Sequence, residues 1–129
     1  MVDTPRHTIL AVDDERSNLL VLNRTLAPDY ILLAAKTGGE ALRRALGELP
    51  DLILLDLMLP DTDGFDVLRE LKACQKTKHI PVIIVSGMDS GEDEKKARFL
   101  GAADYITKPY TGDKIRESIE SNLNQIIQS

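Results

Sequence analysis

Five short apolar runs alternate along this chain with stretches whose apolar residues recur every three or four positions. The runs lie at 8–13, 30–35, 51–56, 80–86 and 103–107, each bounded by turn or cap residues. Runs of this kind read as buried parallel strands. Between them, Leu19, Leu22 and Leu26 share one helix face, and Ala41, Leu42, Ala45 and Leu46 a second. Phe65, Leu68 and Leu71 mark a third, Ala97 and Leu100 a fourth, and Ile115, Ile119, Leu123 and Ile126 the last. Thr37-Gly-Gly-Glu40 and Ser90-Gly-Glu-Asp93 have the form of capping boxes opening the second and fourth helices. Five βα units in succession predict an α/β fold, a doubly wound parallel sheet with helices on both faces and right-handed crossovers. The 129 residues make one domain, with no repeat, low-complexity tract or internal linker.

In such sheets the ligand site lies beyond the carboxyl ends of the strands. The polar residues that close the apolar runs all fall on that edge. Asp13 and Asp14 follow Thr8-Ile-Leu-Ala-Val12, and Asp56 follows Leu52-Ile-Leu-Leu55. Ile80-Pro-Val-Ile-Ile-Val85 ends in Ser86, and Ala103-Asp-Tyr-Ile-Thr107 ends in Lys108-Pro109. Three carboxylates at the mouths of neighbouring strands repel one another, and the arrangement makes sense with a divalent cation among them. Hard carboxylate oxygens suit Mg²⁺, which keeps several waters and prefers to share a phosphoryl group. Lys108 suits a phosphoryl oxygen, and Ser86 can donate to another. Asp56 can act as a nucleophile in aspartyl-phosphate chemistry.

Asp13-Asp14, Asp56, Ser86 and Lys108-Pro109, in that order in a five-unit βα chain, resemble the receiver domain of a two-component response regulator. The resemblance covers residues 8–126. It implies a flavodoxin-like (βα)5 sheet in strand order 2-1-3-4-5. It implies that Asp56 accepts phosphate from a sensor histidine kinase or histidine phosphotransferase. It further implies Mg²⁺ held by Asp14 and Asp56 directly, by Asp13 partly through water, and by the backbone carbonyl of Met58. A cis peptide between Lys108 and Pro109 belongs to the same pattern. Ser86 would move toward the phosphoryl group and Tyr105 would turn inward, a switch biased by one charged modification. The surface around the fourth helix, fifth strand and fifth helix would then address an output domain or protein target, or form a phosphorylation-dependent homodimer.

Met58, Gly87 and Met88 stand at positions that tune such a site. Met58 and Met88 are apolar and cannot orient an attacking water, which predicts slow self-dephosphorylation. Gly87 is small and leaves the phosphoryl group accessible to partners. Two features depart from the charge-paired dimer of winged-helix regulators. Ala102-Ala103-Asp104-Tyr105 lacks the usual acidic pair, and Ser118 stands where an arginine is expected. Glu40-Ala-Leu-Arg-Arg44 and the segment 101–110 are more similar to receivers attached to cyclic-di-nucleotide enzymes or to hybrid kinases. The chain is read as a whole regulator or as a piece cut from a longer protein with a C-terminal output domain.

Other functions fit less well. The net charge of −5 and the lack of a basic stripe exclude direct nucleic-acid binding by this domain. No apolar run spans a bilayer and Met1-Val-Asp-Thr-Pro-Arg6 has no apolar signal core. With one cysteine there is no internal disulfide, which points to the cytoplasm. A small haloacid-dehalogenase-like phosphatase would need Asp-x-Asp on the first strand, and the adjacent Asp13-Asp14 does not supply it. A flavin or nucleotide binder needs a phosphate-cradling loop, and Asp13-Asp-Glu-Arg-Ser17 is acidic and glycine-free. A receiver-shaped interaction domain that takes no phosphate would not need the intact Asp56, acidic pair and Lys108. Asp61-Thr-Asp-Gly64 reads as a structural turn opening the third helix. His7 and His79 read as surface residues, and Cys74 as an inert thiol.

Overall fold

The computed structural model describes residues 6–87 and 90–128, with side chains described as far as residue 124. Five βα units follow one another as β1 (His7–Val12), α1 (Arg16–Leu26), β2 (Tyr30–Ala35), α2 (Gly38–Glu48) and β3 (Leu52–Leu55). Then come α3 (Gly64–Ala73), β4 (Val82–Ser86), α4 (Gly91–Phe99), β5 (Asp104–Thr107) and α5 (Gly112–Gln128). The strands pair in parallel, in the order β2-β1-β3-β4-β5 expected of the doubly wound sheet.

The continuous apolar runs are explained by burial on both faces. Leu10, Val12, Ile53, Leu55, Val82 and Ile84 face one layer, which includes Ala41, Leu68 and Ala97 from α2, α3 and α4. Their neighbours Ile9, Ala11, Leu52, Leu54, Ile83 and Val85 face the other, with Leu19, Leu22 and Leu26 of α1 and Ile115, Ile119 and Leu123 of α5. Two-residue alternation thus sends every second side chain to a different helix layer. Burying each of these large aliphatic side chains stabilises the fold by about 1.5–3 kcal/mol before chain entropy is counted. Leu46 departs from the predicted helix face and is half exposed, in a groove beside Leu42, Leu71 and Cys74. Ile126 lies beyond the described side chains.

Strand ends differ from the sequence reading by one or two residues. β4 opens at Val82 because Pro81 has no amide to give to a ladder, although its carbonyl accepts from Ile53. Asp13 and Asp56 lie one residue past β1 and β3, where their amides still bond to Ala35 and Val12. The predicted boxes form in altered form. Thr37 accepts from the Glu40 amide, but the Glu40 carboxylate reaches the Lys36 amide. Ser90 accepts from Glu92. Among the described residues no helix is long and apolar enough to cross a membrane.

Candidate phosphoacceptor and cation site

Sheet register brings the acids together. Val12 is paired with Leu55, so the residues that follow, Asp13 and Asp56, emerge side by side from two central strands. Carboxylate oxygens of Asp13, Asp14 and Asp56 lie within 4.8 Å of one another. Asp13 and Asp56 are buried and Asp14 is exposed. Asp13 is held from two sides, Oδ1 by the Glu15 amide at 2.9 Å and Oδ2 by Asn18 Nδ2 at 3.0 Å. The first bond closes a turn rather than capping α1, whose N-cap is Glu15 with no side-chain cap. Asp56 Oδ1 accepts from the Met58 amide at 3.0 Å.

Lys108 arrives from the end of β5 across a cis peptide to Pro109. Its Nζ donates to Asp13 Oδ2 at 2.8 Å and to Asp56 Oδ2 at 2.9 Å. Burial opposes its charge, but the bonds to Asp13 and Asp56 outweigh burial and raise its pKa. Three carboxylates and one ammonium leave a formal charge of −2 (three minus one) in a half-buried pocket. Charge and an all-oxygen donor set therefore fit a hard divalent cation. Beside Lys108, a cavity of about 380 Å³ is lined by Asn18, Val21, Pro109 and Tyr110. It leaves one flank of the lysine open.

Ser86 closes β4 with no exposed surface, beside Thr107 in register. Tyr105 is 7% exposed and packs in the core layer on the α4 side. The ring therefore lies inward in this structure. Met58 is 65% exposed, and open space surrounds Gly87. Met88 lies outside the described residues. His7 and His79 are on the opposite edge from the acids. His7 lies 3.5 Å from Asp51 across exposed side chains, and His79 is exposed.

One residue at the site went unremarked in the sequence. Asn18 is five residues past Asp13, in the first turn of α1, and that spacing was the available signal. Asp61 belongs to the turn expected to open α3, where acids suit the helix dipole. Asp63 does that work, accepting from the Phe65 amide, whereas Asp61 caps α2. Its contacts span more than twenty residues, beyond any local pattern.

A family model described as the response regulator receiver domain matches residues 9–120. The chain belongs to this family. Phosphorylation switching, an Mg²⁺-binding acidic pocket and dealings with histidine kinases and output domains are general properties of receiver domains. Receivers are generally not enzymes beyond their own phosphorylation. A probable cyclic di-GMP phosphodiesterase of Vibrio cholerae is 37% identical over 95% of this chain, which spans 28% of that protein. Response regulator PleD of Caulobacter vibrioides is 42% identical over 78% of the chain, which spans 22% of it. The chain thus spans less than a third of these curated relatives.

Solved structures agree in shape. A CheY-like receiver domain from Methanospirillum hungatei superposes with a TM-score of 0.88 at 30% identity, covering 94% of this chain and 96% of that one. The receiver domain of sensor histidine kinase PA1611 from Pseudomonas aeruginosa gives 0.85 at 26% identity, with 93% and 99% covered. That structure has a magnesium ion coordinated in its active-site cleft.

Proposed function

We propose that this receiver takes a phosphoryl group on Asp56 from a phosphohistidine of a sensor kinase or phosphotransferase, in the presence of Mg²⁺. The observation that carries the reading is Lys108 Nζ bonded to both Asp13 and Asp56 at the mouth of a pocket with an uncompensated charge of −2. Asp14, Asp56 and the Met58 carbonyl would hold the cation, with Asp13 acting partly through water. Bound there, Mg²⁺ would neutralise phosphoryl charge and offer a shared coordination point for a phosphoryl oxygen.

The chain's own groups account for the transfer. An Asp56 carboxylate oxygen forms a bond to phosphorus as the phosphorus–nitrogen bond of the donor breaks, and the electron pair leaves with the imidazole. Lys108 exchanges its Asp56 contact for a phosphoryl oxygen, keeping Asp13 as its anchor. Ser86 donates its hydroxyl to another oxygen. The ring of Tyr105 is buried without the modification, so phosphorylation would stabilise that position rather than create it.

The surface of α4, β5 and α5 would carry the output. On it, Arg98 pairs with Asp104 at 3.2 Å and with Glu94 at 3.0 Å, and Ser118 donates to Asp104 at 2.5 Å. This supports an output other than the charge-paired dimer of winged-helix regulators. Similarity to a cyclic di-GMP phosphodiesterase and to PleD supports attachment to, or service of, a cyclic-di-nucleotide enzyme in the cytoplasm. Apolar Met58 supports a long-lived phosphoryl group.

Intact mass after incubation with Mg²⁺ and acetyl phosphate tests the reading. A gain of one phosphoryl group, absent in Asp56→Asn and without Mg²⁺, is expected. No gain by a folded protein that also ignores beryllium fluoride would favour an interaction domain that works without phosphate.

A further inference from the structure

The segment between β3 and α3 carries both the acceptor Asp56 and Met58. Its base is closed from within. Met58 and Asp63 form an antiparallel bridge, and the Gly64 amide bonds to the Leu57 carbonyl at 2.8 Å. Gly64 admits no side chain there, since a Cβ would lie 2.4 Å from Leu57 Cα and 2.6 Å from the Asp56 carbonyl oxygen.

The tip of the same loop is fastened from outside. Asp61 Oδ1 accepts from the Gly38 amide at 2.8 Å, and Oδ2 accepts from Gly39 at 3.0 Å. These are the first two amides of α2, donors that have no partner inside their own helix. The helix's own cap, Thr37, takes a different amide, that of Glu40. A second contact points the same way. A Cβ on Gly38 would lie 2.3 Å from Thr62 Cγ2 and 2.9 Å from Val67 Cγ2, so the loop sits directly on the glycine. Each carboxylate oxygen has its own amide, a geometry that asparagine can only half reproduce. The amides of Gly38 and Gly39 also hold the Asp61 carboxyl below its usual pKa.

We propose that Asp61 is a positioning residue, which caps α2 across the chain and thereby fixes the loop that presents the Met58 carbonyl beside Asp56. Cation affinity at the site is then set partly by a residue that touches no cation. The inference rests on the Mg²⁺ reading above and adds to it a residue outside the acidic cluster.

The test is an Mg²⁺ titration of the ¹⁵N-labelled chain, following the amides of Asp14, Asp56 and Met58. Parent protein is compared with Asp61→Ala, Asp61→Asn and Thr37→Ala. Thr37→Ala weakens the helix's own cap without touching the loop. Roughly tenfold weaker Mg²⁺ binding is expected for Asp61→Ala, as for other residues that orient metal ligands. Asp61→Asn should lie between, and Thr37→Ala should bind like the parent. Without Mg²⁺, amide exchange at Met58 and Leu59 should be faster in Asp61→Ala than in the parent or Thr37→Ala. Gly38→Ala approaches the loop from the other side and should reproduce the loss with Asp61 intact, which carries the test if Asp61→Ala fails to fold. Equal affinity in parent and folded Asp61→Ala would overturn the inference and leave the Mg²⁺ reading standing. An equal loss in Thr37→Ala would reduce Asp61 to a helix stabiliser. A parent that binds no Mg²⁺ would overturn both.

Discussion

Lys72 and Lys108 are both partly buried, at opposite ends of the sheet, and their surroundings shift them in opposite directions. At the amino end, Lys72 Nζ donates to the carbonyls of Ile80 at 2.7 Å and Lys78 at 3.1 Å, and its stem lies under Gly101. Among the described residues no carboxylate pairs with it, and burial lowers its pKa. At the carboxyl end, Lys108 is also penalised by burial, but Asp13 and Asp56 more than restore its charge. The first lysine is spent on backbone and closes the turn before β4. The second is held by side chains that a ligand can take over. An interior charge bonded to carbonyls belongs to the fold, whereas one bonded to an excess of carboxylates is available for chemistry.

That contrast can be broken by experiment. Lys108→Met should slow phosphoryl gain from acetyl phosphate by about 100-fold or more, the scale for losing one preorganised donor, in an intact-mass time course. An unchanged rate would reduce Lys108 to a structural group like Lys72. Lys72→Met should cost about 2 kcal/mol in urea unfolding, because two carbonyls lose their donor, while phosphorylation proceeds at the parent rate. Asp14→Asn removes repulsion from an exposed acid and should raise the melting temperature by about 2–4 °C in Mg²⁺-free buffer. That advantage should disappear when Mg²⁺ is added. If it persists, the acids do not strain the cation-free state.

The smallest effect is alkaline and opposite for the two lysines. The folded-state pKa of Lys108 is raised, so its contribution is complete below the ordinary lysine range and is lost as pH rises through the raised value. The folded-state pKa of Lys72 is lowered, so its burial cost is relieved as pH rises from that lowered value to the ordinary one. Urea unfolding between about pH 8 and 11 should therefore show the parent gaining on Lys72→Met and then losing ground to Lys108→Met. Parallel curves would remove the electrostatic part of the contrast.

Much of this was legible in the sequence because it is written in local patterns. Continuous apolar runs announced strands buried on both faces, and the residues that ended them lay on one edge. Asp13, Asp14, Asp56 and Lys108 converge because parallel strands share a direction. What the residues could not announce was contact made by folding alone. Asp61 meets Gly38 through a crossover, and Ser118 meets Asp104 across the gap between α5 and β5. Asn18 was within reach of a local argument, but an asparagine in a first helical turn ordinarily signals nothing. The inward ring of Tyr105 is set by packing against the α4 layer, which the strand pattern does not reveal, because aromatic residues suit strands whichever way they face.

The pairing of Val12 with Leu55 has a consequence for how this chain can vary. Exchange among Ile, Val and Leu along β1 or β3 keeps the core filled at modest cost. Adding or deleting one residue in β3 would shift its alternation by one place and carry Asp56 away from Asp13. In a library that samples both kinds of change, β3 should accept many spellings and almost no change of length.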